Sequence, residues 1–118
     1  MKSLDVFDLM HKRALVTRES ARAVGNALAT AVTAARGEVV LDFSGIDAVT
    51  PSFVDEALGS IGEMLAGSDT SQLRLVFLNV PTRLSAKFAA VGRARGLEIA
   101  ESESGAWIIT TSLTRGNE

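Results

Sequence analysis

The sequence predicts an α/β fold, a small mixed β-sheet flanked by helices, formed as a single domain over residues 1–118. Three observations carry that expectation. Val39, Val40, Leu41 and Phe43 make a nearly continuous apolar run, the mark of a strand buried on both faces of a helix-covered sheet. Leu73, Leu75, Val76, Phe77 and Leu78 make a second such run. Before, between and after them the apolar residues recur at spacings of three and four, so strands alternate with helices. Alternation of this kind gives a layered structure with a mostly parallel centre and antiparallel edges.

Taken in order, Leu4, Val6 and Leu9 around Phe7 indicate a short first strand. A first helix starts near Arg18, with Ala21, Val24, Leu28, Val32 and Ala35 as its apolar stripe. Thr17 is placed to cap it, Glu19 to offset its dipole, and Arg36 with Gly37 to stop it. The run from Val39 reads as the central strand. A loop from Gly45 to Thr50 leads to a second helix, ended by Gly67 and the polar stretch Ser68 to Gln72. After the strand through Leu78, Pro81 stands where a first helical turn tolerates proline, and a third helix presents Leu84, Phe88 and Val91. Gly96 closes that helix. Leu97 to Ala100 and Trp107 to Leu113 read as two strands joined through Glu101 to Gly105, arranged to pair as a hairpin.

Composition narrows the function classes. Hydrophobic residues make up 47% of the 118 and charged residues 22%, a balance that belongs to a folding chain with one core. The formal net charge of -2 gives no global attraction to nucleic acid or to an anionic membrane. With no cysteine there is no disulfide or thiolate chemistry, and Asp5 and Asp8 interrupt any apolar signal-peptide core, so a cytoplasmic location is expected. The longest uncharged run, Ala23 to Ala35, is too short and too polar to span a bilayer.

Two kinds of chemistry are open to the acidic residues Asp42, Asp47, Asp55 and Glu56 around the loop after the central strand. Carboxylates at strand ends can hold magnesium or accept a phosphoryl group, which would make the chain a small metal-dependent hydrolase or phosphotransfer enzyme centred on Asp42, Asp47 and Asp55. Alternatively, Asp55 and Glu56 lie in the first turn of a helix and offset its macrodipole. Other catalytic signals are thin. His11 is the only histidine and sits beside Lys12 and Arg13, tyrosine is absent, and no nucleophile elbow or phosphate loop is present. No cofactor or metal is implied. Arg83, Lys87, Arg93 and Arg95 gather on and after the third helix with few aromatics to stack bases, which fits a solvated face or an acidic protein partner.

Projected at 100° per residue, the second helix turns Val54, Leu58, Ile61 and Leu65 to the core and Ser52, Glu56, Gly59 and Glu63 outward. Gly59 and Gly62 each cost about 1 kcal/mol of helix propensity relative to alanine. Either a partner packs on that smooth face while Glu56 and Glu63 pair with its cations, or the glycines admit a neighbouring element of the same domain.

The stretch Val39 to Leu58 resembles the signature of STAS domains, the anti-sigma-factor antagonist class, in Asp42, Phe43 and Gly45. Ser52, Phe53, Val54, Asp55 and Glu56 resemble more closely a STAS-like offshoot of uncharacterised function, as do Thr17, Arg18, Glu19 and Ala21 at the first helix start. The resemblance implies a small mixed sheet flanked by helices and a regulatory role, in which a histidine-kinase-like ATPase binds the module and phosphorylates a serine opening this helix. Here Pro51 occupies the phosphoacceptor position, and only Thr50 and Ser52 beside it carry hydroxyls. Thr50 before Pro51, or Ser52 with Asp55, can also serve simply as a cap. The expectation is a non-enzymatic signalling module that meets its protein partner through Asp47, Thr50, Ser52, Phe53, Asp55, Glu56, Gly59 and Glu63.

Overall fold

The runs at Val39 and Leu75 form adjacent strands in register, Val39 beside Leu75 and Leu41 beside Phe77. In the computed structural model, which describes residues 2–34, 38–66 and 74–111, the elements follow the order β1 (Lys2–Asp5), α1 (Val6–Met10), β2 (Ala14–Leu15), α2 (Arg18–Ala34), β3 (Glu38–Asp42), β4 (Ala48–Val49), α3 (Pro51–Ala66), β5 (Arg74–Leu78), α4 (Ala86–Ala94), β6 (Leu97–Glu101) and β7 (Trp107–Thr111). The main sheet has the order β1-β3-β5-β7-β6. Its first three strands run parallel, β7 is antiparallel to β5, and β6 pairs antiparallel with β7. A separate two-stranded ladder joins β2 to β4. The β6–β7 hairpin turns over Ser102 to Gly105, with Gly105 at a φ of 89° that favours glycine.

The α/β class and the mixed sheet agree with the sequence reading, and five details differ, the first being that Ala48–Val49 of the expected Gly45–Thr50 loop form β4. The expected first strand is divided: Asp5 ends β1 and accepts the N–H of Asp8 through its side chain, so Val6, Phe7 and Leu9 turn into α1. β5, and not β3, is the middle strand, because the β6–β7 hairpin folds back to insert β7 beside β5. Pro81 does not open a helix; α4 starts at Ala86, with Ser85 accepting the Phe88 N–H at 3.0 Å, and Leu84 lies before it. Finally, the described helices all feed one core. Val24, Leu28, Phe53, Leu58, Ile61 and the inward side chains Val39, Leu41, Leu75 and Ile109 belong to it, while the other sheet face carries a small cluster of Val40, Val76, Ala106 and Leu78. The expected stops at Arg36–Gly37 and at residues 67–72, Ala35, Leu73 and the strand end at Leu113 lie outside the described residues, as does the side chain of Leu65.

An aromatic chain fixes one end of the core. Phe43 meets Phe77 with ring centroids 5.3 Å apart, Phe77 stacks on Trp107 at 6.2 Å, and Trp107 meets Phe88 of α4 at 5.9 Å. Trp107 is 1% exposed, and its indole N–H has no partner among the described residues. Through this chain α4 is registered against the sheet, which places its outer face beside the start of α3.

Candidate partner-binding surface

The loop entering α3 is held by main-chain bonds to the segment before α2. Asp47 and Ala48 donate their N–H groups to Arg13 O at 2.6 and 3.3 Å, and Thr50 donates its own to Leu15 O at 3.1 Å. Thr50 is the cap: its Oγ1 accepts the Phe53 N–H at 3.3 Å and its carbonyl accepts the Val54 N–H at 3.0 Å. Pro51 then occupies the first helical position, where its fixed φ suits the helix and its missing N–H costs nothing. Thr17 caps α2 in the same way, accepting the Ser20 N–H at 3.0 Å. Pro51 and Ser52 are left exposed at the head of α3.

Several expected contact residues are engaged within the domain. Phe53 is 2% exposed and belongs to the core, because a helix starting at Pro51 rotates it inward beside Val54 and Ala57. Asp55 and Glu56 lie beyond the first turn, which holds no acidic residue, so they do not offset the dipole as expected. Glu56 instead binds α2: Arg18 Nη1 donates to its Oε1 at 3.1 Å and Arg22 Nε to its Oε2 at 3.4 Å. Asp55 lies between Arg18 at 3.6 Å and Arg95 at 3.5 Å. The two glycines are accounted for inside the molecule. A Cβ on Gly62 would stand 2.6 Å from the Arg95 main-chain oxygen, and one on Gly59 would touch the Arg95 guanidinium at 3.5 Å. Asp47, Thr50, Ser52 and Glu63 remain at or near the surface.

The carboxylates proposed for metal chemistry do not assemble. Among the described residues no group of three His, Cys, Asp or Glu side chains is placed to hold a metal ion. Asp42 is instead a strand-end clamp. Its Oδ1 accepts the Ser44 N–H at 2.9 Å, the Ser44 hydroxyl at 2.8 Å and the Asn79 amide at 2.9 Å. The Asn79 bond first, then the Ser44 N–H, hold its carboxyl below the ordinary value. Asn79 takes a left-handed φ of 58° to reach it. The basic group is dispersed as well. Arg83 makes paired 2.9 Å bonds to Glu101, which also accepts the Leu84 N–H at 3.2 Å, and these donors lower the Glu101 carboxyl. Arg95 turns to Asp55, leaving Lys87 and Arg93 without an ion pair among the described residues.

What the fold brings together at the head of α3 is a groove of about 250 Å³ lined by Arg18, Pro51, Ser52, Asp55, Lys87, Phe88 and Val91. Three helices contribute to it. Phe88 and Val91 give it an apolar floor backed by Trp107, and Arg18 and Lys87 supply cations at its rim. Val16, 50% exposed, leaves the β2–β4 ladder at the same end as Thr50. The sequence pointed to Lys87 only as one of four basic residues that fit an acidic partner, and it did not mark Arg18, Phe88 or Val91 as groove residues or Val16 as exposed beside them. Phe88 and Val91 read as ordinary core positions of an amphipathic helix. The one sequence signal for Val16 was an apolar residue standing outside any periodic stripe, next to a cap.

A family model described as a STAS-like domain of unknown function matches residues 20–79, the segment from α2 through the strand-end Asn79. The chain belongs to this STAS-like family. Its mixed sheet and flanking helices are those of a STAS-like domain; of the groove residues the match covers Pro51, Ser52 and Asp55, while Arg18 and those of α4 lie outside it. No curated protein and no solved structure matches the STAS-like chain. No helix among its described residues is long and apolar enough to cross a membrane.

Proposed function

We propose that this STAS-like domain is a non-enzymatic regulatory module of the cytoplasm that binds a protein partner, a kinase-type ATPase of the histidine-kinase-like class, in a partner-switching manner. The observation that carries the reading is the head of α3. Thr50 spends its hydroxyl on the cap, so the exposed Ser52 beside Pro51 is the hydroxyl left at the mouth of a groove built from three helices. A phosphate on Ser52 would sit at the N-terminal end of the helix, where the dipole favours an anion. The carboxylate that shares the groove, Asp55, is already flanked by Arg18 and Arg95, which reduces the repulsion such a phosphate would meet.

The test is an affinity pull-down from the native lysate with and without ATP, using the folded chain as bait. An ATPase is recovered by the wild type and lost by the pair Asp47→Arg and Ser52→Arg, both exposed and free of the α2–α3 ion pairs. Recovery of no partner, or of one indifferent to that pair, removes the reading. Incubation with the recovered ATPase and ATP then raises the intact mass by one phosphate, and Ser52→Ala abolishes the rise; an unchanged wild-type mass removes the phosphorylation step alone.

A further inference from the structure

Charge is segregated along this chain. Residues 37–73 contain no lysine or arginine, and residues 70–97 contain no aspartate or glutamate. Within the second stretch, Arg74 pairs with Glu38, Arg83 with Glu101 and Arg95 with Asp55. The cations left over, Lys87 and Arg93, both stand exposed on α4, where Ala86, Ala90 and Ala94 are the other exposed residues. One helix face is thus flat, small and positively charged, and it continues into the groove whose floor is Phe88 and Val91.

We infer that the groove between the head of α3 and the outer face of α4 binds an acidic segment of a partner protein, one that carries a large apolar side chain flanked by carboxylates. The inference rests on the partner-binding reading above and names the chemistry of what is bound. At about 250 Å³ the groove falls below the roughly 300–1,000 Å³ of small-molecule sites, and its apolar floor suits a single anchoring side chain. Around that anchor the charges are one-sided. Lys87 at the rim is unpaired among the described residues, as is Arg93 six residues further along the exposed face of α4, and the Ser52 hydroxyl adds a donor at the first turn of α3. Asp55, the carboxylate of the groove, is matched by Arg18 at 3.6 Å and Arg95 at 3.5 Å, so it does not cancel the rim. Acidic residues flanking an apolar anchor complement this surface, and basic ones meet like charge. The small side chains of Ala86, Ala90 and Ala94 let a partner backbone approach α4 closely.

The experiment pans a phage-displayed library of random peptides against the immobilised full chain, then measures synthetic copies of the enriched peptides by fluorescence polarisation. Enriched peptides carry net negative charge and at least one large apolar residue, and their affinity falls as salt is raised because the rim charges are solvent-exposed. Lys87→Glu weakens them by about tenfold or more, and Ala90→Glu, on the exposed face and outside the core, weakens them similarly. Circular dichroism and the emission of Trp107 confirm that both variants fold. Absence of enrichment, basic or uncharged winners, or binding indifferent to both variants overturns the inference. Peptides lost with Asp47→Arg and Ser52→Arg but not with Lys87→Glu overturn it while leaving the partner-binding reading standing. A dimer that Lys87→Glu dissolves would assign the groove to a second copy of the chain and also overturn it.

Discussion

Gly62 of α3 and Arg95 at the C-cap of α4 meet backbone to side-chain stub: a Cβ on Gly62 would lie 2.6 Å from the Arg95 carbonyl oxygen and 2.9 Å from its Cβ. Three residues earlier, Gly59 faces only the guanidinium end of the same arginine, at 3.5 Å or more. The two glycines therefore respond oppositely to alanine. Gly62→Ala forces the two helices apart and destabilises by about 1–3 kcal/mol, less the gain in helix propensity. Gly59→Ala meets ordinary contact and stabilises by about 0.5–1 kcal/mol. Urea unfolding followed by the emission of buried Trp107 measures both.

The adjacent hydroxyls at the head of α3 separate in the same assay. Thr50→Ala removes the acceptor of the Phe53 N–H and costs about 1 kcal/mol. Ser52→Ala changes stability by less than about 0.5 kcal/mol, as befits an exposed position outside the cap. Equal losses from the two substitutions would show that Ser52 shares the capping role and is not simply the free hydroxyl.

Glu56 ties α2 to α3 through two half-exposed arginines, with side-chain exposures of 52% for Arg18 and 63% for Arg22. Such pairs contribute little singly, so Glu56→Gln lowers stability by at most about 1 kcal/mol. Charge reversal in Glu56→Arg puts three guanidinium groups together and costs more. The gap between the two variants narrows in about 1 M salt, where the Debye length is near 3 Å. A gap that salt leaves unchanged would mean that packing, and not charge, is responsible.

Acid acts through Asp42 and Glu101. Both carboxyls lie below their ordinary values of 3.8 and 4.5 in the folded chain, so each contributes stability above those values that is lost as pH falls through the folded ones. The melting temperature therefore declines on acidification below about pH 4.5, and Asp42→Asn or Arg83→Gln flattens the decline. Melts from neutral pH to about pH 3 test this; an acid limb identical in both variants and the wild type would exclude the two clamps as its origin.

Much of the fold was legible because it is written in consecutive residues. The unbroken run at Val39 announces a strand whatever surrounds it, and Thr17 before Arg18 announces a cap. The division at Asp5 was harder. Val6, Phe7 and Leu9 fit a strand pattern, and the single bond from the Asp8 N–H that nucleates α1 leaves only an unremarkable Asp-x-x-Asp in the sequence.

The sequence by itself determined the longer strands and helices, their alternation and the STAS-like signature around Asp42 and Ser52, since apolar periodicity and capping are local properties of the chain, but not α1 or the β2–β4 ladder. Tertiary structure alone decided what those residues touch. Phe53 reads as part of an exposed motif and is core; Glu56 and Gly59 read as a docking face and are committed to Arg18, Arg22 and Arg95, none of which is within 30 positions of them in the chain. The groove was likewise invisible, because its walls come from Arg18, Ser52 and Lys87 on three separate helices. Which of several outward side chains is quenched by a neighbour depends on how helices pack, a non-local outcome that no single segment encodes.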